Sequence, residues 1–195
     1  MERCLASKPV LRSFCTGITM LRRLILMRHA KSAWPEGIAD HDRPLAPRGQ
    51  STAPMMGEWL KSAGLKPDLA LISSARRTRE TWALVAPALV GTPFREERRL
   101  FAASTETMLE IVQTCSDAVG TLMVVAHNPA TQDLAHRLAS RVTSDLDALA
   151  RLSRHYPTAA ITLLEGEGEW AMLAPGTMRL ARFTTPRLLG GIDED

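Results

Sequence analysis

Short unbroken apolar runs alternate along the chain with longer stretches in which apolar residues recur every three or four positions. The runs at 22–27, 69–72 and 121–127 are each bounded by polar residues and read as strands buried on both faces. Between them, Met55, Met56, Trp59 and Leu60 share one face of a helix over about 50–63. Ser73-Ser74 stand as N-cap signals for a helix running to about residue 89, and Ser104 for one over 108–119. Asn128-Pro129 mark a further start, with Asn at the cap and Pro in the first turn.

The stretch "ADHDRPLAPRG" (39–49) is punctuated as a loop, and Pro93 with "REERR" reads as a connection. Late in the chain, "AITLLEGEGEWAML" predicts a hairpin turning at 166–168, and "MRLARF" predicts one more strand. The order β-loop-α-β-α-α-β-α-β-β predicts a three-layer α/β/α sandwich with a mostly parallel central sheet.

At 195 residues the chain fits one domain, and 45% hydrophobic against 23% charged residues supports a sizeable core. A formal net charge of +3, spread along the chain, argues against a nucleic-acid partner. No apolar run approaches the ~18 residues of a membrane span. Cys4, Cys15 and Cys115 form no CxxC pair, and Cys115 suits the apolar face of its helix. The histidines have no metal-ligand spacing. These features predict a reduced, cytoplasmic protein with no cofactor and no metal. Residues 1–19 lack the apolar stretch of a signal peptide and read as a disordered extension. The domain is expected over 20–189, with a solvated acidic tail at 190–195.

Two predicted parallel strands end in histidine, at His29 and His127, and a third ends in Ser73-Ser74 followed by Arg76 and Arg77. In such sheets the carboxyl ends of the strands form the binding crevice, so these residues should converge despite ~50-residue separations. Arginine offers planar, permanently charged donors matched to phosphate oxygens. A neutral imidazole can attack phosphorus, and a second, protonated histidine completes an anion cage without metal. His136, mid-helix, and His155, before the Tyr-Pro turn, are expected to be structural or exposed. Arg43 and Arg48 either order the 39–49 loop by pairing with Asp40 or Asp42, or guide an acidic substrate. Lys31 and Ser32 follow His29 and could line the site. Trp34, Trp59 and Trp82 are expected in the core or at its rim.

Four segments in order, "LMRHAKS" (26–32), "DRPLAPRG" (42–49), "SSARRTRET" (73–81) and "VVAHNP" (124–129), resemble the histidine phosphatase superfamily, with its phosphoglycerate mutase-like fold. The resemblance covers 20–189 and is nearest the short SixA-type branch of phosphohistidine phosphatases. It implies that His29 is the phosphorylated nucleophile and that Arg28 binds the phosphoryl group. It also implies that His127 stabilises the group in transfer. The family's second arginine lies four residues before a threonine, which is Thr81 here and selects Arg77 over Arg76. Asn128 would support the site by capping the next helix; apart from the resemblance, Ser32 and Arg43 are candidate substrate-binding residues from their positions after His29 and in the 39–49 loop. The mutase branch's glutamate acid has no clear match: its position falls on Arg98, leaving Asp40, Asp42, Glu96 and Glu97 as candidates.

An imidazole leaves readily once protonated, whereas an alkoxide needs a strong acid, so the missing acid favours a phosphoramidate substrate. The 49 residues between Arg77 and His127 leave no room for a long lid. The expected activity is a metal-independent phosphatase with a phosphohistidine intermediate, acting on phosphohistidine of a carrier protein. The alternatives are a small-molecule phosphomonoesterase, less readily a mutase, and a phosphoprotein-binding module without turnover.

Overall fold

The apolar runs do become central strands, and their lack of alternation has a direct cause: helices cover both faces of the sheet. The computed structural model describes residues 20–191. Expectations for 1–19, with Cys4 and Cys15, and for the tail beyond 191 lie outside the described residues. Along the chain run β1 (Leu21–Arg28), α1 (Pro47–Ser62), β2 (Leu69–Ser73), α2 (Arg76–Val85) and β3 (Phe94–Glu97). Next come α3 (Thr105–Gln113), β4 (Thr121–Ala126), α4 (Ala130–Leu138), α5 (Leu146–Arg154), β5 (Ile161–Glu167) and β6 (Arg179–Thr184).

The six strands form one sheet in the order β3-β2-β4-β1-β5-β6. The first four are mutually parallel, whereas β5 runs against both β1 and β6. Along β1, Leu24 and Leu26 face one core with α3, α4 and α5, including Val112, Leu134 and Leu152. Ile25 and Met27 face the other with α1 and α2, including Met56, Leu60 and Val85. Successive side chains of one strand thus enter opposite cores, which requires the unbroken apolar run. Trp82 lies in the α1/α2 core, Trp59 packs against it, and Cys115 packs against the other. No described helix is long and apolar enough to cross a membrane.

Four local expectations are corrected. Phe94–Glu97 within "FREERR" is an edge strand, not a connection, and pairs in parallel with β2. Its charged residues are tolerated because an edge strand bonds on one side only and leaves its side chains in water. The hairpin partner of β5 is β6, not "WAML". Trp170–Met172 instead form a short 3-10 turn that buries Trp170, whose Nε1 donates to the Val119 carbonyl at 2.7 Å. The helix after Ser104 stops at Gln113, and α5 was not anticipated. Ser104 does cap α3, accepting from the Thr107 amide at 3.1 Å.

Candidate active site

At the carboxyl ends of β1, β4 and β2 the chain carries its least buriable groups. Arg28 ends β1 and His29 follows it; His127 follows β4; Ser73 ends β2. The parallel register places Arg28 opposite Ala126, so the two histidines leave adjacent strands side by side. Their ring centroids lie 5.1 Å apart.

His29 is held on every side. Its amide donates to the Ala126 carbonyl at 3.0 Å and its carbonyl accepts from Ala159 N at 3.0 Å. Its Nδ1 lies 2.8 Å from the Ala30 carbonyl, an acceptor only, which fixes the proton on Nδ1. Nε2 therefore carries the lone pair, toward which Arg77 Nε is directed at 3.3 Å. Burial, then His127, Arg77 and Arg28 push the imidazole well below its usual range, against the opposing Ala30 carbonyl. The ring is neutral near pH 7 and presents Nε2 as a base.

His127 faces the same space. Its Nε2 is 2.8 Å from Ser73 Oγ, and the edge of Phe101 packs 5.8 Å from its ring. Burial, followed by the charge of Arg77, drives its pKa down to about 3, only partly offset by Asp40. Its Nδ1 is buried without a hydrogen-bond partner, as is Asn128 Oδ1. Each buried orphan has a cost: an oxyanion accepting from a protonated His127 Nδ1 would relieve the first, whereas Asn128 Oδ1, an acceptor, needs a donor.

The arginine pair is separated by its surroundings. Arg77 is buried at 6% exposure, and besides His29 it donates to the Asp40 carbonyl at 2.5 Å and to Asp40 Oδ2 at 3.1 Å. Arg76 is exposed and pairs with Glu80 at 2.6 Å. Thr81, the threonine of the motif, is fully buried; it donates to the Arg77 carbonyl at 2.6 Å and accepts from the Ala30 amide at 3.0 Å. One hydroxyl thus ties α2 to the turn after the nucleophile. Arg28 donates through Nη1 to the Tyr156 carbonyl at 2.7 Å. Tyr156 is itself fixed, its hydroxyl donating to the Leu26 carbonyl at 2.9 Å while accepting from Thr162.

Arg43 is buried and divided among three partners: the Ala33 carbonyl, Asp40 Oδ1 at 2.8 Å and Ser32 Oγ at 2.6 Å. Its guanidinium stacks 3.1 Å from the ring centroid of Trp34, which is 76% exposed and so belongs to neither core. Arg28, His29, Lys31, Ser32, Trp34, Arg43, Arg77 and Thr158 line one cavity of about 400 Å3. α1 closes beneath it through Gly49, where a Cβ would stand 2.2 Å from the Lys31 carbonyl oxygen. Only glycine permits that approach.

Of the residues expected at the site, His29, Arg28, Arg77, Ser32 and Arg43 line the cavity, and His127 adjoins it. Asn128 does not cap α4: Pro129 occupies the cap position, and Asn128 Nδ2 donates to Gln132 Oε1 and the Tyr156 carbonyl. The serines do not cap α2 either. Ala75 is its N-cap, Ser73 Oγ faces His127, and Ser74 Oγ lies 3.0 Å from His41 Nε2. Ser73, expected from its strand-ending position to converge with the two histidines, does lie beside His127. Thr158, Phe101 and His41 were not singled out as site residues. Among the described residues no cluster of three or more His, Cys, Asp or Glu could hold a metal ion.

The family model for the histidine phosphatase superfamily (branch 1) matches residues 24–101, including the first arginine-histidine pair and Arg77. An uncharacterized protein of Mycobacterium tuberculosis is 44% identical over 161 residues, 83% of this chain and 100% of the relative. The chain belongs to the histidine phosphatase superfamily. Within it this histidine phosphatase is of the SixA type, with the phosphoglycerate mutase-like fold. A solved structure from Nakamurella multipartitia, described as a phosphohistidine phosphatase SixA, superposes with a TM-score of 0.74 at 29% identity. The match covers 85% of this chain and 96% of that one. Its counterpart from Agrobacterium tumefaciens gives 0.71 at 28% identity, over 85% and 98%.

The four carboxylates weighed as proton donors in this histidine phosphatase sit as follows. Partial burial raises the Asp40 pKa, but hydrogen bonding to Arg43 and the charge of Arg77 outweigh it, so its carboxyl lies below the usual range. It is ionised when a general acid must hold a proton. Asp42 pairs with His41 at the surface, and Glu97 caps the turn at Arg99. Glu96 lines a separate cavity of about 540 Å3 with His41, Ser74, Arg79, Arg98 and Phe101.

Proposed function

We propose that this histidine phosphatase works through a phosphoryl-His29 intermediate and removes phosphate from phosphohistidine displayed on a protein. The carrying observation is His29: neutral, with Nδ1 anchored on the Ala30 carbonyl and Nε2 aimed where Arg77 and Arg28 can hold a phosphoryl group. Nε2 attacks phosphorus as the bond to the substrate nitrogen breaks. The arginines neutralise charge on the equatorial oxygens. An incoming dianion offsets the cationic surroundings that hold His127 down, so binding favours protonated His127, which passes its proton to the departing imidazole. Water then attacks phosphoryl-His29, restoring the Nε2 lone pair and returning a proton to His127. No step needs a metal or a cofactor.

Two features support a protein substrate. Among the described residues that line the cavity no carboxyl holds the proton that a poor alkoxide leaving group demands, whereas an imidazole departs once protonated. The cavity also opens beside exposed Trp34, and among the described residues no lid covers it. A reduced, cytoplasmic setting fits such a partner. The test is to incubate the protein with a phosphorylated histidine carrier domain and with small phosphomonoesters. Faster turnover of the carrier, acid-labile and alkali-stable label on the enzyme, and complete loss of both in His29→Ala are expected. Faster turnover of the monoesters would overturn the substrate assignment.

A further inference from the structure

Ser73 ends β2 fully buried, and its hydroxyl has two neighbours within reach. His127 Nε2 lies 2.8 Å away and the Ala75 amide 3.4 Å away. An amide can only donate, so it takes a lone pair and leaves the hydroxyl proton to be placed. Among the described residues the one acceptor offered to that proton is His127 Nε2. A buried hydroxyl without an acceptor is costly, so Ser73 donates and Nε2 keeps its lone pair. The neutral ring then carries its proton on Nδ1, the nitrogen that is buried without a partner.

A serine before a helix commonly serves only the backbone, closing a short turn onto the amide two residues on. The contact with Ala75 has that pattern, but it is the longer of the two. The turn is also held without it, since Thr78 Oγ1 shares its proton between the Ser73 and Ala75 carbonyls at 2.7 and 2.6 Å. The neighbouring Ser74 meets a histidine as well, yet the other nitrogen of His41 is taken by Asp42 at 3.1 Å. His41 therefore has both nitrogens occupied, whereas His127 has one held and one open. The open nitrogen belongs to a ring centred 5.1 Å from that of the nucleophile.

We infer that Ser73 is the positioning residue of His127: by holding Nε2 it commits Nδ1 as the nitrogen that meets the phosphoryl oxygens and carries the proton to the leaving group. This rests on the phosphohistidine reading and deepens it. A hydroxyl both donates and accepts, so Ser73 can hold bare Nε2 in the resting ring and Nε2–H once the ring is protonated. The same edge of the imidazole stays turned to β2 throughout. Nδ1 gives its proton to the departing nitrogen as the P–N bond breaks, and takes one back from the attacking water. The other groups around His127 are Arg77 from α2, Arg28 and His29 from the end of β1, Asp40 and His41 from the turn at 40–42, and the edge of Phe101. Among the described residues none of these is hydrogen-bonded to the ring, which leaves its orientation to Ser73.

Nitrogen-15 NMR of the histidine-labelled full chain near pH 7, without substrate, reads the tautomer directly, and His127→Asn identifies the signals. The wild type should show His127 protonated on Nδ1 and bare on Nε2, and Ser73→Ala should lose that preference and become a mixture. A wild-type ring protonated on Nε2, or a tautomer unchanged in Ser73→Ala, would overturn the proposal; the wild-type result decides even if the variant is unstable. Kinetics supply the second readout. On a phosphorylated histidine carrier domain, Ser73→Ala should lower kcat by about thirtyfold with KM within about twofold. On 4-nitrophenyl phosphate, whose leaving group departs without a proton, the loss should stay below about fivefold. A loss of equal size on both substrates, or one carried by KM, would reduce Ser73 to part of the framework and overturn the proposal. Failure of the phosphohistidine reading looks different: the wild type turns over the monoester faster than the carrier, while the tautomer still depends on Ser73.

Discussion

Arg22 and Arg77 are both buried arginines, at 3% and 6% exposure, and they serve opposite ends of one sheet. Near the start of β1, Arg22 gives its donors to the carbonyls of Gly168, Asp117 and Val119 and to the Asp117 carboxylate. Trp170 packs 5.8 Å from it. Every partner is part of the framework. Beyond the carboxyl ends of the strands, Arg77 meets the lone pair of an imidazole and a carboxylate that is half in water. These partners can yield to an anion. Burial of a guanidinium therefore says little about its role; whether its partners are exchangeable says a great deal.

The largest effect expected from this contrast is on catalysis. Arg77→Ala should lower kcat/KM by about a thousandfold, equivalent to about 4 kcal/mol of transition-state stabilisation, in steady-state assays. A loss below tenfold would end the distinction. Arg22→Met should do the reverse: about 3 kcal/mol of stability lost, because buried carbonyls and Asp117 lose their donors, with kcat unchanged. Thermal unfolding should show a Tm lower by about 6–12 °C.

A smaller effect follows from titration at the catalytic end. Both site histidines have folded-state pKa values below their unfolded value of about 6.5, His127 at about 3. The unfolded chain therefore binds more protons below pH 6.5. The stability they contribute is fully present above that pH and is lost as pH falls toward 3. Between pH 6.5 and 5 the wild type should lose about 1.6 kcal/mol that His127→Asn does not, measured by denaturant unfolding. The smallest effect belongs to Arg76→Ala, which removes an exposed pair with Glu80: within twofold in activity and about 0.5 kcal/mol in stability. A large loss there would reverse the assignment of the two arginines.

The same contrast explains what could be read from sequence. β1, β2 and β4 were legible because burial on both faces demands an unbroken apolar run, and the two strand-ending histidines stood out against that demand. β3 was not, since "FREE" pairs through its backbone on one side and keeps its side chains in water. α5 had its signals and could have been read: Asp145 caps it through the Ala148 amide, with Leu149 and Leu152 spaced toward the core. Asn128 misled because Asn-Pro before a helix normally makes a cap. Here tertiary contacts with Gln132 and the Tyr156 carbonyl redirect its side chain. Thr158 left no local trace, being brought to the site only by the path of the chain.

That path has a consequence of its own. Because β5 alone runs against its neighbours, its approach, residues 155–160, re-enters the catalytic end from more than a hundred residues beyond His29. This short approach buttresses both halves of the site: the Tyr156 carbonyl accepts from Arg28, and Ala159 N donates to the His29 carbonyl. A change of length within 155–160 would therefore shift the phosphoryl clamp and the nucleophile together.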